Sequence, residues 1–437
     1  MTAVSSFFGL NTALRGLLAH QRALDTTAHN IGNASTEGYS RQQTQLAAAD
    51  PLSLASVTGG NAAMLGAGVD VEGFKRVRDA FADLQYRAQN MAFNQHQTTS
   101  ELLGSAELSL SEPTDNGIGQ VLAKFWSAWD DLANHPESPA TRQALVNQAS
   151  LLTDRLNTLQ GDLTAVRTEA QTQYGLLTGP TGDVLAAAQQ IAQLNASIRS
   201  AVQQGASPND LLDRRDVALD KLSGLAQVSV TDLGDGSIRV NFGDAATPLV
   251  DDTTVTWPQT LTSPGGRLGA LLQVADTSAS GKITGYLSDL DAVASQLISS
   301  VNSLHGTPFF SGTSAATIGV AVTASTVQAA PAGSPAGANQ IALAISALRG
   351  GAADTSYANL VARIGGESRA AQQQQTTTQA LVNAADDRRQ SASGVSMDEE
   401  MTNMVRFQRG YQASARVMST IDEMLDTLIN RTGHVGL

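Results

Sequence analysis

Two apolar strips, one near each end of the chain, limit the possible folds more than any other feature. In the first, Leu10, Leu14, Leu17, Gln21, Leu24, Ala28 and Ile31 alternate spacings of four and three, the a/d pattern of a heptad repeat. Asn30, Gly32 and Asn33 then supply the turn chemistry that stops it. In the second, Met404, Phe407, Tyr411, Ser414, Met418, Ile421, Leu425 and Leu428 share one strip of a helix that runs to about Asn430. That helix opens on Ser396-Met-Asp-Glu399, a capping box. Burying about six apolar side chains contributes about 1.5–3 kcal/mol each. Ordering some 25 residues costs about 1–2 kcal/mol apiece in backbone entropy. Neither helix is stable alone, so each needs a partner surface. Formal charge is weakly complementary: residues 1–45 carry Arg15, Arg22 and Arg41 against Asp25 and Glu37, whereas residues 396–437 are net acidic. Periodicity leaves two partners open, the other terminal helix or neighbouring copies in a polymer.

Between the strips lie helices interrupted by one β-rich stretch. Residues 34–74 are Gly-, Ser- and Thr-rich with short alternating pieces such as Val69-Asp-Val71, which predicts an extended or β-like connector. Helical periodicity covers about 77–110. It returns over 118–133, where Val121, Leu122, Phe125, Trp126, Trp129 and Leu132 give a wide apolar face. Leu145, Ala149, Leu152, Leu156, Leu159, Leu163, Val166 and Ala170 form the cleanest heptad run, repeated after Gly179-Pro180 by Val184 to Ala201. Ser207-Pro-Asn-Asp210 reads as a helix start, with Ser207 as cap. Val228-Ser-Val230 and Ile238 to Phe242, flanking Gly234-Asp-Gly236, predict a β-hairpin, and 246–266 stays strand-like. A helix follows at 281–304, then Gly/Ala/Ser/Pro-rich sequence with short strands to 340, and helix again from Tyr357.

Composition excludes several function classes. The net charge is −13 and the only lysines are Lys75, Lys124, Lys221 and Lys282. A polyanion or an anionic membrane requires clustered cations, so nucleic acid and membrane insertion are not expected. No apolar run is long enough to span a bilayer, and Met1–Leu10 lacks the basic and apolar regions of a cleavable signal. Cysteine is absent, and the histidines His20, His29, His96, His135, His305 and His434 show no metal-ligand spacing. Asp213-Arg-Arg-Asp216 places two acids three apart, which predicts a salt-linked helix surface rather than acid/base catalysis. Gly265-Gly-Arg-Leu-Gly269 lacks phosphate-loop spacing and reads as a loop. No cofactor and no catalytic residue is assigned.

Ala28-His-Asn-Ile-Gly-Asn-Ala-Ser-Thr-Glu-Gly-Tyr-Ser-Arg-Gln42 closely resembles the N-terminal signature of flagellar rod, hook and hook-associated proteins. Ser6 to Leu18, at the start, resembles the FlgK (hook-associated protein 1) family. So do Ser393-Gly-Val-Ser-Met-Asp-Glu-Glu-Met401, Phe407-Gln-Arg-Gly-Tyr-Gln-Ala-Ser-Ala-Arg416 and Ile421 to Asn430 at the other end. Asn209 to Asp216 and Val301-Asn-Ser-Leu-His305 resemble internal pieces of the same family. Ser-Arg-Gln after Tyr39 and the acids at 398–400 favour FlgK over hook or rod proteins. After Phe309-Phe310 the chain is short, so the outer domain of longer family members is expected to be missing.

The resemblance implies a mainly α, elongated, discontinuous axial protein with a β-containing insert and paired terminal coiled-coil helices. The expected division is 1–45 with 396–437 as terminal assembly domain, 46–226 with 351–395 as helical body, and 227–350 as β-containing outer domain. It implies a ring of copies between hook and filament, contacting the hook protein and a second junction protein. It also implies secretion by the flagellar type III route and a chaperone on the C-terminal helix. The expected assembly residues are Leu10, Leu14, Leu17, Leu24 and Ile31 in the N-terminal seam. Asn30, Asn33, Thr36, Gly38, Tyr39 and Arg41 make up the motif. Met404, Phe407, Tyr411, Met418, Ile421, Leu425 and Leu428 make up the C-terminal seam. Another axial protein, a hook or flagellin-like subunit, is the alternative within the class; an unrelated helical adaptor or wall hydrolase is the alternative outside it.

Overall fold

A computed structural model describes residues 7–54 and 63–427. Helix α1 (Phe8–Gly32) leads into a long antiparallel β-ribbon: β1 (Gln42–Ala48) pairs with β4 (Val69–Arg76), and β2 (Leu52–Leu54) with β3 (Ala63–Leu65). The ribbon lies along α1, fastened by a Thr26–Thr44 hydroxyl contact of 2.9 Å and an Arg15–Asp70 ion pair of 2.6 Å. The expected connector is therefore a hairpin.

Helix α2 (Ala80–Leu110) starts where Asp79 accepts the backbone N–H groups of Phe81 and Ala82, and ends at Ser111 with φ 52°. Helices α3 (Ile118–Asn134), α4 (Pro139–Thr178), α5 (Asp183–Gln203) and α6 (Asn209–Leu225) follow the predicted periodicities. Ser138 caps α4 ahead of Pro139. The start of α6 differs from expectation. Ser207 makes no side-chain cap; its carbonyl instead accepts from the N–H of Asn209, and Pro208 occupies the cap position.

Strands β5 (Val228–Asp232), β6 (Ile238–Phe242), β7 (Val250–Asp251) and β8 (Thr254–Val255) form an antiparallel meander in that order, with Val228 opposite Phe242 and Val240 opposite Val250. The strand-like reading of 246–266 holds only for its first half. The glycine-rich loop at 265 opens a helix, α7 (Gly266–Ala275), which buries Leu268, Leu271 and Val274. Gly265 and Gly266, at φ 70° and 59°, turn the chain sharply into it. Helix α8 (Lys282–His305) precedes the small pair β9 (Phe310–Ser311) and β10 (Gly319–Val320), then α9 (Gln340–Ser346), α10 (Ala352–Ser393) and α11 (Met397–Asp426).

One apolar core runs from Leu102 to Ala371. The segment 227–350, expected as a domain of its own, shares that core: α7 packs on α2 and α4, and α8 on α4 and α10. The physical reason is burial. A small sheet and three helices cannot cover Val240, Phe242, Leu290, Leu297 and Val301 by themselves, so the sheet packs on α5 and α6, and α8 on α4 and α10. At the centre, Phe125, Trp126, Trp129, Phe309 and Phe310 are all at most 1% exposed. Asn302 holds the last two in place, accepting from the backbone N–H groups of Phe309 (2.8 Å) and Phe310 (2.9 Å). His305 is neutral: its Nε2 accepts from the N–H of Gln328 at 2.9 Å, which leaves Nδ1–H to donate to the Thr307 carbonyl. Burial pushes its pKa below the ordinary histidine value, against the Thr307 bond, which favours the charged form.

Helices α2 and α10 run antiparallel away from this core, with Tyr357 beside Glu112 at one end and Arg389 over the Tyr86 ring at the other. Over its 42 residues α10 spans roughly 60 Å. The pair carries the chain from the core to the terminal helices.

Candidate functional site

Helices α1 and α11 pack antiparallel in the structure, which supplies one of the two partners the periodicity left open. Along the seam the residue numbers rise on α1 as they fall on α11. Gly9 faces Ile421, Gly16 faces Ser414, the ring of His20 lies against Gly410, and Asn30 meets Glu400. A Cβ at Gly16 would stand 3.1 Å from Ser414 Oγ, so the backbones approach closely because the facing residues are small.

The leucines assigned to the N-terminal seam are not its buried face. Ala13, Ala19, Ala23, Thr26, Thr27 and Asn30 are buried. Leu10, Leu17, Leu24 and Ile31 are half-buried and Leu14 is 42% exposed. The larger side chains are kept off the close contact and flank it or face outward. On α11, Met404, Phe407, Met418, Ile421 and Leu425 are half-buried, Tyr411 is exposed, and Leu428 lies outside the described residues. Glu400 is the one buried residue among those described on α11.

The motif residues meet where this pair joins the body. Asn30, 1% exposed, donates through Nδ2 to the Gln42 carbonyl (2.9 Å) and to Glu400 Oε2 (3.1 Å). Its Oδ1 accepts from Gln42 N (2.9 Å) and from the Tyr39 hydroxyl (2.7 Å). Arg41 donates through Nε to Glu400 (2.7 Å) and through Nη1 to Glu399 (2.8 Å), while its backbone N–H reaches the Ser393 carbonyl. The capping box is thus half made. Ser396 Oγ accepts from Glu399 N, but the Glu399 carboxylate turns to Arg41. Asn33 donates to the His29 carbonyl and so caps α1, and Thr36 donates to Asn33. Gly32 ends α1 without a positive φ; Gly38, at φ 73°, is the glycine that turns the chain back.

Sequence reasoning missed the third party to the joint, helix α6. Its Asp210, Asp213, Asp216 and Asp220 recur at spacings of three and four, which places them on one face. That spacing was the available signal. Asp213 accepts from Ser40 N (3.0 Å), Ser40 Oγ (2.8 Å) and Arg76 (2.8 Å). Asp210 takes Gln42 Nε2 at 2.8 Å. Asp216 is shared by Arg76, Arg78 and Arg87, and Asp220 by Arg87 and Arg389. The Asp213-to-Asp216 stretch, expected as a salt-linked surface, is instead a largely buried ionic bridge between elements. Its own Arg215 points away, to Asn195 and the Gly236 carbonyl. Burial alone would push the Asp216 carboxyl up, but Arg78, Arg76 and Arg87 together hold it below the usual carboxylate range. Burial pushes the Tyr39 hydroxyl up, and the charges of Asp210, Asp213 and Glu400 push it further, so it stays a donor to Asn30.

A cleft of about 690 Å³ remains between the 34–40 loop, α6 and the ends of α10 and α11, lined by Tyr39, Arg78, Asp220, Arg389 and Ser396 among others. Among the described residues no cluster of three His, Asp or Glu is placed to hold a metal ion, and no helix is long and apolar enough to cross a membrane. The arrangement fixes the angle and depth at which a helix pair leaves the body.

Gly38 gives a direct check of that fit. A Cβ there would collide with Val217 Cγ2 on α6, and φ 73° costs about 1–2 kcal/mol for a residue with a side chain. Gly38→Ala is expected to destabilise the chain by about 2 kcal/mol or more in urea unfolding. Adding Val217→Ala removes the collision and recovers part of the loss; no recovery would mean the contact is not tight.

Comparison with known proteins gives three family matches in chain order. Residues 10–39 match the flagella basal body rod protein family, 103–263 the flagellar hook-associated protein FlgK helical domain, and 387–431 the flagellar basal body rod FlgEFG protein C-terminal family. The flagellar hook-associated protein 1 of Bacillus subtilis is 29% identical, over 98% of this chain and 99% of the relative. That of Salmonella typhimurium is 32% identical, over 56% of this chain and 43% of the relative. The structure of the flagellar hook junction protein FlgK from Burkholderia pseudomallei aligns at TM-score 0.45 and 24% identity, over 52% of this chain and 46% of that one.

Proposed function

Because the chain belongs to the flagellar hook-associated protein 1 (FlgK) family, we propose that the α1–α11 pair is its assembly element and that the joint sets how the pair is presented. The protein is a structural subunit of the junction between flagellar hook and filament. Copies form a ring through the terminal pairs, seated on the hook protein below and meeting a second junction protein above. The observation that carries this reading is that the signatures at the two ends, at Asn30 and Glu400, meet within hydrogen-bond distance. Around that point nearly all of α11 keeps part of its surface open, and Phe7, Leu14 and Leu18 of the N-terminal segment are 54%, 42% and 47% exposed. Neighbouring subunits cover such faces in a tubular lattice, which offsets the ordering cost that a single pair meets only in part.

The seam leucines, the motif and the C-terminal strip are accordingly assigned to assembly, the leucines through contacts between copies. Export follows the flagellar type III route. Before export a chaperone holds α11, where Met397 and Met401, 47% and 55% exposed, give an adaptable apolar face. We assign no catalytic role.

Deleting the coding sequence tests the function. Electron microscopy is expected to show hooks without filaments, with flagellin released to the medium. Loss of the hook itself would assign the chain to the hook or rod, and normal filaments would end the reading.

A further inference from the structure

In the α1–α11 seam Ile421 sits on Gly9 and the His20 ring on Gly410, while at Gly16 and Ser414 both partners are small. On α1 it offers Gly9, Gly16 and Ala23; on α11 it offers Gly410 and Ser414. Gly9, Gly16 and Ala23 stand seven apart on α1, so an α11 side chain displaced by seven residues along α1 meets another small residue. Displacing α11 toward the N-terminus of α1 would bring Tyr411 or Phe407 opposite Gly16. The connection allows this. Gly394 and Ser396 are extended, and each residue unwound from the end of α10 adds roughly 1.8 Å, so about three supply the 5.4 Å of one helical turn. Coiled coils with permissive seams use a buried polar residue to select one alignment.

We infer that Glu400 is the register key of the terminal helix pair, a positioning residue that acts through Asn30 and Arg41. It is 2% exposed on a helix whose other described residues are all more open. Both its oxygens are engaged, Oε2 by Asn30 Nδ2 at 3.1 Å and Oε1 by Arg41 Nε at 2.7 Å. Those donors come from different elements, the end of α1 and the start of the ribbon, so a single placement of α11 satisfies both. In any displaced alignment Glu400 leaves both donors and stands as an unpaired charge against α1, which excludes the alignment. The consequence for the ring rests on the assembly reading: register sets the relative height of the two outward helix faces. The test below reads the isolated chain and does not depend on that reading, whose own failure would appear in the filament phenotype.

The chain has no cysteine, so an introduced pair reports alignment directly. A Cβ at Gly16 would lie 3.9 Å from Ser414 Cβ, within disulfide range. Gly16→Cys is combined in turn with Phe407→Cys, Tyr411→Cys, Ser414→Cys and Met418→Cys in the full chain, oxidised at low concentration. The parent background is expected to cross-link almost wholly at 414. With Glu400→Leu the 414 yield should fall several-fold while 411 and 407 rise. Glu400→Gln should lie between, since its oxygen still accepts from Arg41 but its amide faces the Asn30 donor. Phe407→Ala, which removes apolar contact and no key, should lower the yields at 411, 414 and 418 without moving the maximum from 414. A Glu400→Leu chain that still cross-links at 414 alone overturns the inference. So does one that loses all four cross-links equally, because that makes Glu400 a source of stability and not of register.

Discussion

Asp213→Ala is expected to cost about 3–5 kcal/mol of stability, more than any other single change at the joint. The carboxylate accepts from the backbone and hydroxyl of Ser40 and from Arg76, and it is nearly buried. Removing it leaves an N–H without an acceptor and a guanidinium held by Asp216 alone on that side. Asp213→Asn should recover little: one oxygen still serves Ser40 N, but the new amide points donors at the Arg76 donor. The measurement is the urea midpoint of the purified chain, with limited proteolysis of the 34–41 loop alongside. Cleavage there should rise with the loss of stability, because Ser40 anchors that loop to α6. A midpoint shift worth less than about 1 kcal/mol would mean that Asp216 and Asp220 carry the bridge without Asp213.

The second large effect lies in the core. Trp129→Ala should cost about 3–5 kcal/mol, the range for deleting a fully buried large aromatic. Its ring packs with Phe309, His305 and Phe125 at centroid distances of 5.2, 6.2 and 6.4 Å, so deletion opens a cavity among them. Its Nε1–H meets no acceptor among the described residues. Trp129→Phe therefore removes an unpaired donor along with part of the ring and should cost clearly less than the alanine variant, by thermal or urea unfolding. Equal losses for the two would place the cost in the part of the indole that Phe lacks.

Both effects concern how one chain holds its parts, and the joint connects them to function. The core fixes α2 and α10, those helices fix α6 and the loop at 34–41, and these in turn fix Glu400 and the terminal pair. Loosening the core and loosening the joint should therefore differ in assembly. A joint variant leaves the body folded while misplacing the helices proposed to meet neighbours; a core variant reduces the amount of folded chain.

Sequence alone determined what is decided within a few turns of chain. The leucine periodicity of α4, the cap at Ser138, the hairpin at 228–242 and the opening of α11 at Ser396 are local matters of side-chain spacing and backbone groups seeking partners. The terminal signatures, too, were readable as turn chemistry and as a resemblance. Tertiary structure decided which side of each helix is covered. Burial depends on what comes close, and two helices come closest where side chains are small. The contact face of α1 is thus Gly, Ala and Thr, although its leucines carry the stronger periodic signal. The same limit hid the role of α6: Asp213 and Asp216 read as a salt-linked helix surface, whereas Arg76, Arg78, Arg87 and Arg389, distant in sequence, neutralise Asp213, Asp216 and Asp220 in place. A charge can be buried only by a partner that folding brings from elsewhere, and no local pattern names that partner.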